Sequence, residues 1–401
     1  MTAQRPLPAA LPALAERVEA IAPFHVMELL KRAQALEQQG RSIIHLNIGE
    51  PDFTAPTSVV QALERAARAG ATAYTPALGL PALRERIARY YATEHGVEVD
   101  PGRVVVTAGA SAALVLACCA LVNVGDGVLM SDPSYPCNRH FVSAFDGEPV
   151  CVPVGPQQRF QLDAATVAAH WSPKVRGVML ASPANPTGTS VPFDQLGAIV
   201  ELVRARGGFT IVDEIYLGLQ YEGEARSALS LGDDVVVTNS FSKFFHMTGW
   251  RLGWLIAPQA WVPAFEKLAQ NLFICPSTLA QHAALACFEP EAMAVFRERR
   301  EEFRRRRDFI VPALRRLGLD VPVTPDGAFY VWLDCSRFSD DSDAFAAELL
   351  EQAGVSLVPG FDFGHHEPKR YLRLSYANSL PNLQEAVRRI EAWLKTRRPI
   401  R

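Results

Sequence analysis

The chain has almost no net charge: 40 Lys and Arg against 43 Asp and Glu leave -3 over 401 residues. No overall field recruits nucleic acid or an anionic membrane, which points to a small-molecule partner. Its seven cysteines, an odd count with Cys118 and Cys119 adjacent, show no C-x-x-C spacing. No histidines stand at zinc-finger distance from them, so neither a metal site nor a disulfide framework is expected. They read as buried apolar residues in a reducing compartment. The first residues carry Glu16 and Glu19 and several prolines, with no basic start running into an apolar stretch, so no signal peptide is expected. No apolar segment approaches the roughly 20 residues of a membrane span. Together these absences place the expected protein in the cytoplasm.

What is present is ordinary in bulk and specific in detail. A hydrophobic fraction of 49% and a charged fraction of 21% fit a soluble globular protein with a sizeable core. The proline- and alanine-rich arm up to about Pro23 is expected to wrap over a surface. Apolar spacing predicts a helix over residues 26–39, a short strand within 42–53 that runs into a Gly-Glu-Pro-Asp loop, and helices over 57–69 and from Pro81. From there β-rich runs recur at 104–107, 128–130, 150–154, 177–181, 210–212, 235–238 and 252–256. Helical stretches at 112–121, 138–144 and 193–206 fall between several of them. That alternation predicts an α/β protein with a mainly parallel sheet covered by helices on both faces. No helix fits between the last two runs, which allows one antiparallel strand.

Past about Pro290 the pattern changes. A charged helix over 293–316 precedes strands at 319–323 and 328–333, a helix over 343–353, strands at 355–358 and 371–375, and a last helix from Pro381. This reads as a smaller α+β unit. The basic run RERREEFRRRR (297–307) could signal nucleic-acid binding. However, Glu301 and Glu302 stand four residues before Arg305 and Arg306, the spacing of a solvated, ion-paired helix face.

The stretch SFSKFFHMTGWRLGW (240–254) organises the chemistry. It sets Lys243 among Phe241, Phe244 and Phe245, with Arg251 eight positions on. An amine in such surroundings is a candidate nucleophile, because desolvation and nearby cations lower its pKa and free it to form a Schiff base. On these residues alone a surface lysine with its stem on the rings is the more economical reading. TAGASAAL (107–114) is a glycine turn opening a helix at Ala110 and Ser111, hence an anion site or a simple turn. It is not a G-x-G-x-x-G dinucleotide fingerprint. SPANPTG (182–188) presents Asn185 at a strand end, where open α/β sheets place ligands, or is only a proline turn. Asp213 closes an apolar strand in VDEIY (212–216) and needs a donor or positive partner, whether ligand or protein. Tyr216 lies three residues further. Arg251 could clamp a phosphate with Ser240 and Ser242, and Arg373, alternating with Leu372 and Leu374, could bind a carboxylate across a cleft. A surface position is the bland alternative for both arginines.

Taken in order, IGEPDF (48–53), YTPALGLPALRERIA (74–88), DPSYP (132–136), SPANPTG, VDEIY, the lysine loop and YLRLSYA (371–377) resemble the class I aminotransferases. These are fold type I enzymes that use pyridoxal 5′-phosphate (PLP), and the likeness runs from about Phe24 to the last helix. It implies a large domain with a mainly parallel seven-stranded sheet over residues 50–290. It also implies a smaller α+β domain over 291–401 and an arm with part of the small domain over 1–49. Lys243 would tether PLP and, once released, carry a proton between the substrate α-carbon and cofactor C4′. Asp213 would pair with the pyridine nitrogen and Asn185 and Tyr216 with ring O3′, while Tyr135 would stack on the ring. Ala110, Ser111, Ser240, Ser242 and Arg251 would hold the phosphate, and Arg373 the substrate α-carboxylate with Gly49 and Asn185 nearby. Tyr74 would reach the phosphate of a neighbouring subunit, so a homodimer with shared sites is implied.

The substrate is the open part. The lysine loop looks like that of bacterial aspartate-type enzymes, which makes aspartate with 2-oxoglutarate the first expectation. Arg139 and Lys174 are the candidates for a second carboxylate. Aromatic, branched-chain and alanine substrates remain alternatives, as does a PLP-dependent C–S lyase on the same scaffold. A PLP-binding transcription regulator would carry an added winged-helix domain, for which the residues before Phe24 leave no room.

Overall fold

The computed structural model describes residues 13–15, 17–21 and 25–400. Most of the expected arm before Pro23 lies outside these residues. Within its described part, Arg17 Nη1 donates to Ala144 O at 3.1 Å.

Twelve strands occur among the described residues: β1 (Ile44–His45), β2 (Val104–Thr107), β3 (Gly127–Asp132), β4 (Glu148–Pro153), β5 (Val175–Ala181), β6 (Phe209–Asp213), β7 (Val236–Ser240), β8 (Gly253–Ile256), β9 (Tyr330–Asp334), β10 (Val355–Ser356), β11 (Val358–Pro359) and β12 (Tyr371–Ser375). Seven form one sheet in the order β2-β8-β7-β6-β5-β3-β4. Only β8 runs against its neighbours, β2 and β7. Its connection from β7 is the lysine loop with a single short 3-10 turn, Thr248–Trp250, too little chain for a crossover helix. Alternation along the strands divides the apolar side chains between the two faces. Val104 and Val106, Leu129, Val178 and Leu180, Val212 and Val237 pack into one core cluster. Val105, Val128 and Met130, Met179, Ile211 and Val236 pack into the other. Burying both faces under helices contributes about 1.5–3 kcal/mol per large side chain, and it forces polar chemistry to the strand ends.

β9, β11 and β12 form a separate antiparallel sheet in the order β11-β12-β9. β1 pairs in parallel with β10, and Ser375 N donates to Leu46 O at 2.7 Å. The segment after β1 therefore runs beside β12, which brings Asn47 and Gly49 to Arg373.

Several expectations are corrected by tertiary detail. Residues 319–323 form no strand; Asp320 makes one isolated bridge to Asp334, and Pro322 offers no N–H to extend it. The run 355–358 divides into β10 and β11, which pair with different sheets. The helix expected over 343–353 is α-helical over Ser342–Glu348 and continues as a π turn, Leu349–Ala353. Helices Ala164–His170, Val262–Leu272 and Thr278–Ala284 were not anticipated. Two are only two turns long, and Pro263 in the first turn of Val262–Leu272 reads as a breaker although that position tolerates proline.

The basic run is also not uniformly solvated. Within the helix Pro290–Arg316, Arg306 and Arg307 are buried. Arg306 pairs with Asp52 at 2.7 Å and Glu302 at 3.0 Å, and Arg307 with Glu222 at 2.7 Å. All seven cysteines are free, but only Cys118, Cys287 and Cys335 are buried. Among the described residues no helix is long and apolar enough to cross a membrane.

Candidate active site

The carboxyl ends of β2, β3, β5, β6 and β7 share one edge of the large sheet, and a cavity of about 350 Å³ opens there. At its floor, Thr107 leads through Gly109 into the helix Ala110–Leu121. No side chain caps that helix, so its first N–H groups and the positive end of its dipole face the cavity. Gly109 has φ of 89°, and a Cβ there would lie 2.6 Å from Arg251 Nη2. The missing side chain lets the guanidinium sit against the turn. Arg251 itself has φ of 54°, and its Nη1 donates to Thr248 O at 2.8 Å. Ser242 N donates to Ser240 Oγ at 2.9 Å, and Ser240 Oγ lies 3.0 Å from Leu252 O. Ala110, Ser111, Ser242 and Arg251 line the cavity. Ser240 does not, and instead supports Ser242 from behind.

Asp213 ends β6, paired in register with Ala181 and Thr238. Its Oδ1 accepts from Ile215 N at 3.1 Å and Thr238 Oγ1 at 3.2 Å. Burial pushes its carboxyl up to about 6 despite these bonds, so a cationic donor at the cavity would be strongly favoured. Lys243 Nζ donates to Gly49 O at 2.6 Å. Burial lowers its amine to about 8, with Arg373 and Arg251 adding to the effect and Glu50 and Asp213 opposing it. Near neutral pH a measurable share of this amine is therefore unprotonated and nucleophilic.

Arg373 projects from β12 opposite Trp332 of β9 and is buried. Nη1 donates to Asn185 Oδ1 at 3.1 Å and Nη2 to Asn47 O at 2.7 Å, while Nε has no partner. With its oxygen engaged by Arg373, Asn185 keeps its amide NH₂ for the cavity. Tyr135 and Tyr216 complete the wall.

Of the residues singled out in the sequence, the cavity gathers Gly49, Ala110, Ser111, Tyr135, Asn185, Asp213, Tyr216, Ser242, Lys243, Arg251 and Arg373. Tyr74 stands apart, 81% exposed on the surface. Lys174 precedes β5, at the opposite edge of the sheet, and pairs there with Glu148 at 3.5 Å. Arg139 does not line the cavity; its Nη2 donates to the backbone oxygen of Asp362 at 3.0 Å. Val26, Met27, Leu114, Ile215, Thr248, Asp362 and Phe363 also line it, and none was anticipated. Phe363 is held by a clamp: Ser134 N donates to Phe363 O at 2.8 Å, and Asp132 Oδ2 accepts from His365 N at 2.9 Å. Only the pairing of distant segments assembles these contacts. The DPSYP motif was the one signal in sequence.

Comparison with known proteins gives a consistent family. The model for aminotransferase class I and II matches residues 41–390. Valine–pyruvate aminotransferase of Mycobacterium tuberculosis is 41% identical over 376 residues, covering 93% of this chain and 97% of that protein. Arginine–pyruvate transaminase of Pseudomonas aeruginosa is 37% identical over 365 residues, covering 90% and 92%. The structure of aspartate aminotransferase from Thermus thermophilus with maleate superposes with a TM-score of 0.90 at 35% identity, covering 95% of this chain and 100% of that one.

Proposed function

The chain belongs to the class I and II aminotransferases, PLP-dependent transaminases of fold type I, and from that premise we propose which residues hold the cofactor and which substrate it takes. The donor set fits PLP. An uncapped helix start with Ser242 and Arg251 suits a phosphate dianion, and the costly Asp213 carboxylate suits a protonated ring nitrogen. The depressed Lys243 amine suits an aldehyde. When bound, PLP supplies a carbonyl carbon that exchanges amines and a ring that takes up the electron pair left by the departing α-proton.

Asp213 would hold the ring-nitrogen proton. The Ala110 and Ser111 N–H groups, Ser242 and Arg251 retain the phosphate through charge-assisted bonds worth about 1.5–3 kcal/mol each. Asn185 Nδ2 and the Tyr216 hydroxyl would be the donors for the ring oxygen, and Tyr135 would be the side chain for the ring face. Arg373 clamps the substrate α-carboxylate with its unpaired donor capacity. Lys243 Nζ, as a free amine, would be the group that carries a proton between the substrate α-carbon and the cofactor C4′.

For the substrate side chain, the carrying observation is the character of the remaining wall. Val26, Met27, Leu114, Ile215 and Phe363 are apolar, and the charged group among them is the Asp362 carboxylate. The cations lining the cavity among the described residues are Lys243, Arg251 and Arg373, all assigned above. An anionic side chain would find no further cation among the described residues of this wall. A neutral, apolar L-amino acid therefore fits best, with pyruvate or 2-oxoglutarate as acceptor; the relative named for valine and pyruvate supports this reading. Aspartate with 2-oxoglutarate is the second reading, supported by the likeness to the Thermus thermophilus enzyme.

A homodimer accords with the exposed Tyr74. Thr278 Oγ1 donates to Ala73 O at 2.7 Å, just after the exposed Leu272, Phe273 and Ile274, so an apolar surface adjoins it. The deciding experiment offers the purified holoenzyme valine, alanine, phenylalanine and aspartate, each with pyruvate or 2-oxoglutarate, and measures the new amino acid. Faster turnover of the apolar donors is expected. Preference for aspartate would overturn the side-chain assignment, and pyruvate plus ammonia without amino-group transfer would favour a lyase. Light scattering of the eluting protein should give twice the chain mass.

A further inference from the structure

Tyr330 touches three elements of the site from behind its wall. Its hydroxyl lies 2.8 Å from Tyr216 Oη. Arg373 Cζ sits 4.6 Å over its ring. A Cβ on Gly49, whose oxygen receives the Lys243 amine, would fall 2.7 Å from Tyr330 Oη. The phenol is buried, 1% exposed, and does not line the cavity, whereas Tyr216 does.

Two hydroxyls in contact share one of their two protons, and either could donate. Burial holds both phenols above their ordinary range, so both keep their protons. If Tyr216 donated, the Tyr330 proton would be left among the Gly49 backbone and buried rings. Tyr330 Oη has no partner other than Tyr216 among the described residues. A buried donor without an acceptor is the costly arrangement. If Tyr330 donates, its proton is satisfied and the remaining proton, on Tyr216, is left for the cavity.

We propose that Tyr330 is a positioning residue that donates to Tyr216 and thereby commits the Tyr216 hydroxyl to act as a donor toward the cofactor's ring oxygen. The inference rests on the PLP reading above. A donated proton favours the state in which that oxygen is the stronger acceptor, with the cofactor-linked Lys243 nitrogen unprotonated. Tyr330 therefore lowers the titration midpoint of that nitrogen, acting wholly through Tyr216.

The test is a pH titration of the holoenzyme's cofactor absorbance in wild type, Tyr330→Phe, Tyr216→Phe and the double variant. Phenylalanine keeps the ring beneath Arg373 and removes only the hydroxyl. Tyr330→Phe should raise the midpoint by about 0.4–1 pH unit, the value of one neutral hydrogen bond. Tyr216→Phe should raise it at least as far, and the double variant should match Tyr216→Phe, because a residue acting through another adds nothing once that other is gone. An unmoved midpoint in Tyr330→Phe, or equal shifts in both backgrounds, overturns the proposal while leaving the cofactor assignment standing. Absence of any Lys243-linked absorbance in wild type overturns both.

Discussion

Two groups of cations, all buried or half-buried except the exposed Arg251, are satisfied in opposite ways. In the long helix, Arg306 meets Asp52 and Glu302, and Arg307 meets Glu222 and Asp308. Each charge is neutralised within the chain. At the cavity, Lys243 rests on Gly49 O, Arg251 on Thr248 O, and Arg373 on Asn185 Oδ1 and Asn47 O. These partners are neutral carbonyl and amide oxygens. They orient the cations without discharging them, which leaves the charge available to an anion from outside. The difference separates scaffold from site more sharply than burial does, since Arg306 and Arg373 are almost equally hidden, 4% and 6% exposed.

The comparison is broken most directly by exchanging both arginines for methionine. Arg373→Met should cut kcat/KM by about 100-fold or more, the scale of losing a charged hydrogen-bonded contact to a carboxylate, with the melting temperature held or raised because an unneutralised buried cation is gone. Arg306→Met should do the reverse. It should lower unfolding free energy by about 2–3 kcal/mol, below the ~3–5 kcal/mol of a fully buried pair because Asp52 and Glu302 keep some contact with water, with KM unchanged. Steady-state kinetics and denaturant melts on both variants check the pair. Loss of stability in Arg373→Met would dissolve the distinction.

Titration sharpens it next. The Lys243 amine lies near 8 in the fold, against an ordinary 10.5. Between those values the unfolded chain binds the extra proton, so apo-protein stability should rise with pH across that window. Below about 8 both states are charged and the full penalty applies. Lys243→Met should flatten this rise in melts of the apo protein from pH 7.5 to 10.5; an unchanged slope would mean that the lysine is not desolvated.

The smallest effect concerns an anion on the scaffold side of the comparison. Asp132 Oδ2 is committed to the amides of His365 and His366, and a Cβ on Gly364 would fall 1.7 Å from Asp132 Oδ1. Gly364→Ala should displace the clamp that holds Phe363 at the cavity wall. A roughly tenfold rise in KM for the amino acid, with kcat changed less, is the expected outcome in initial-rate measurements.

Much of the large sheet was legible because its strands are short apolar runs separated by turns and helices, and all seven runs became strands. The site was legible where a residue stands at a strand end, as with Asp213, or inside a distinctive loop, as with Lys243. Tyr330, Asp362 and Phe363 carry no such mark: a tyrosine in an apolar strand and a phenylalanine before a glycine look like core. The strand expected over residues 319–323 from their apolar character does not form beyond one bridge, since pairing needs N–H groups that Pro322 cannot supply.

What the sequence alone determined is the inventory: the family, the alternation that builds a parallel sheet, and an amine, a carboxylate and two guanidiniums in family order. These follow from local spacing, which chain periodicity preserves. The tertiary structure decided which cations stay unneutralised. It also decided that Lys174 is remote and that Val26, Met27, Leu114, Ile215 and Phe363 line the cavity together with Asp362. Those properties depend on partners brought from distant segments, since a side chain's charge state and accessibility are set by the groups packed against it.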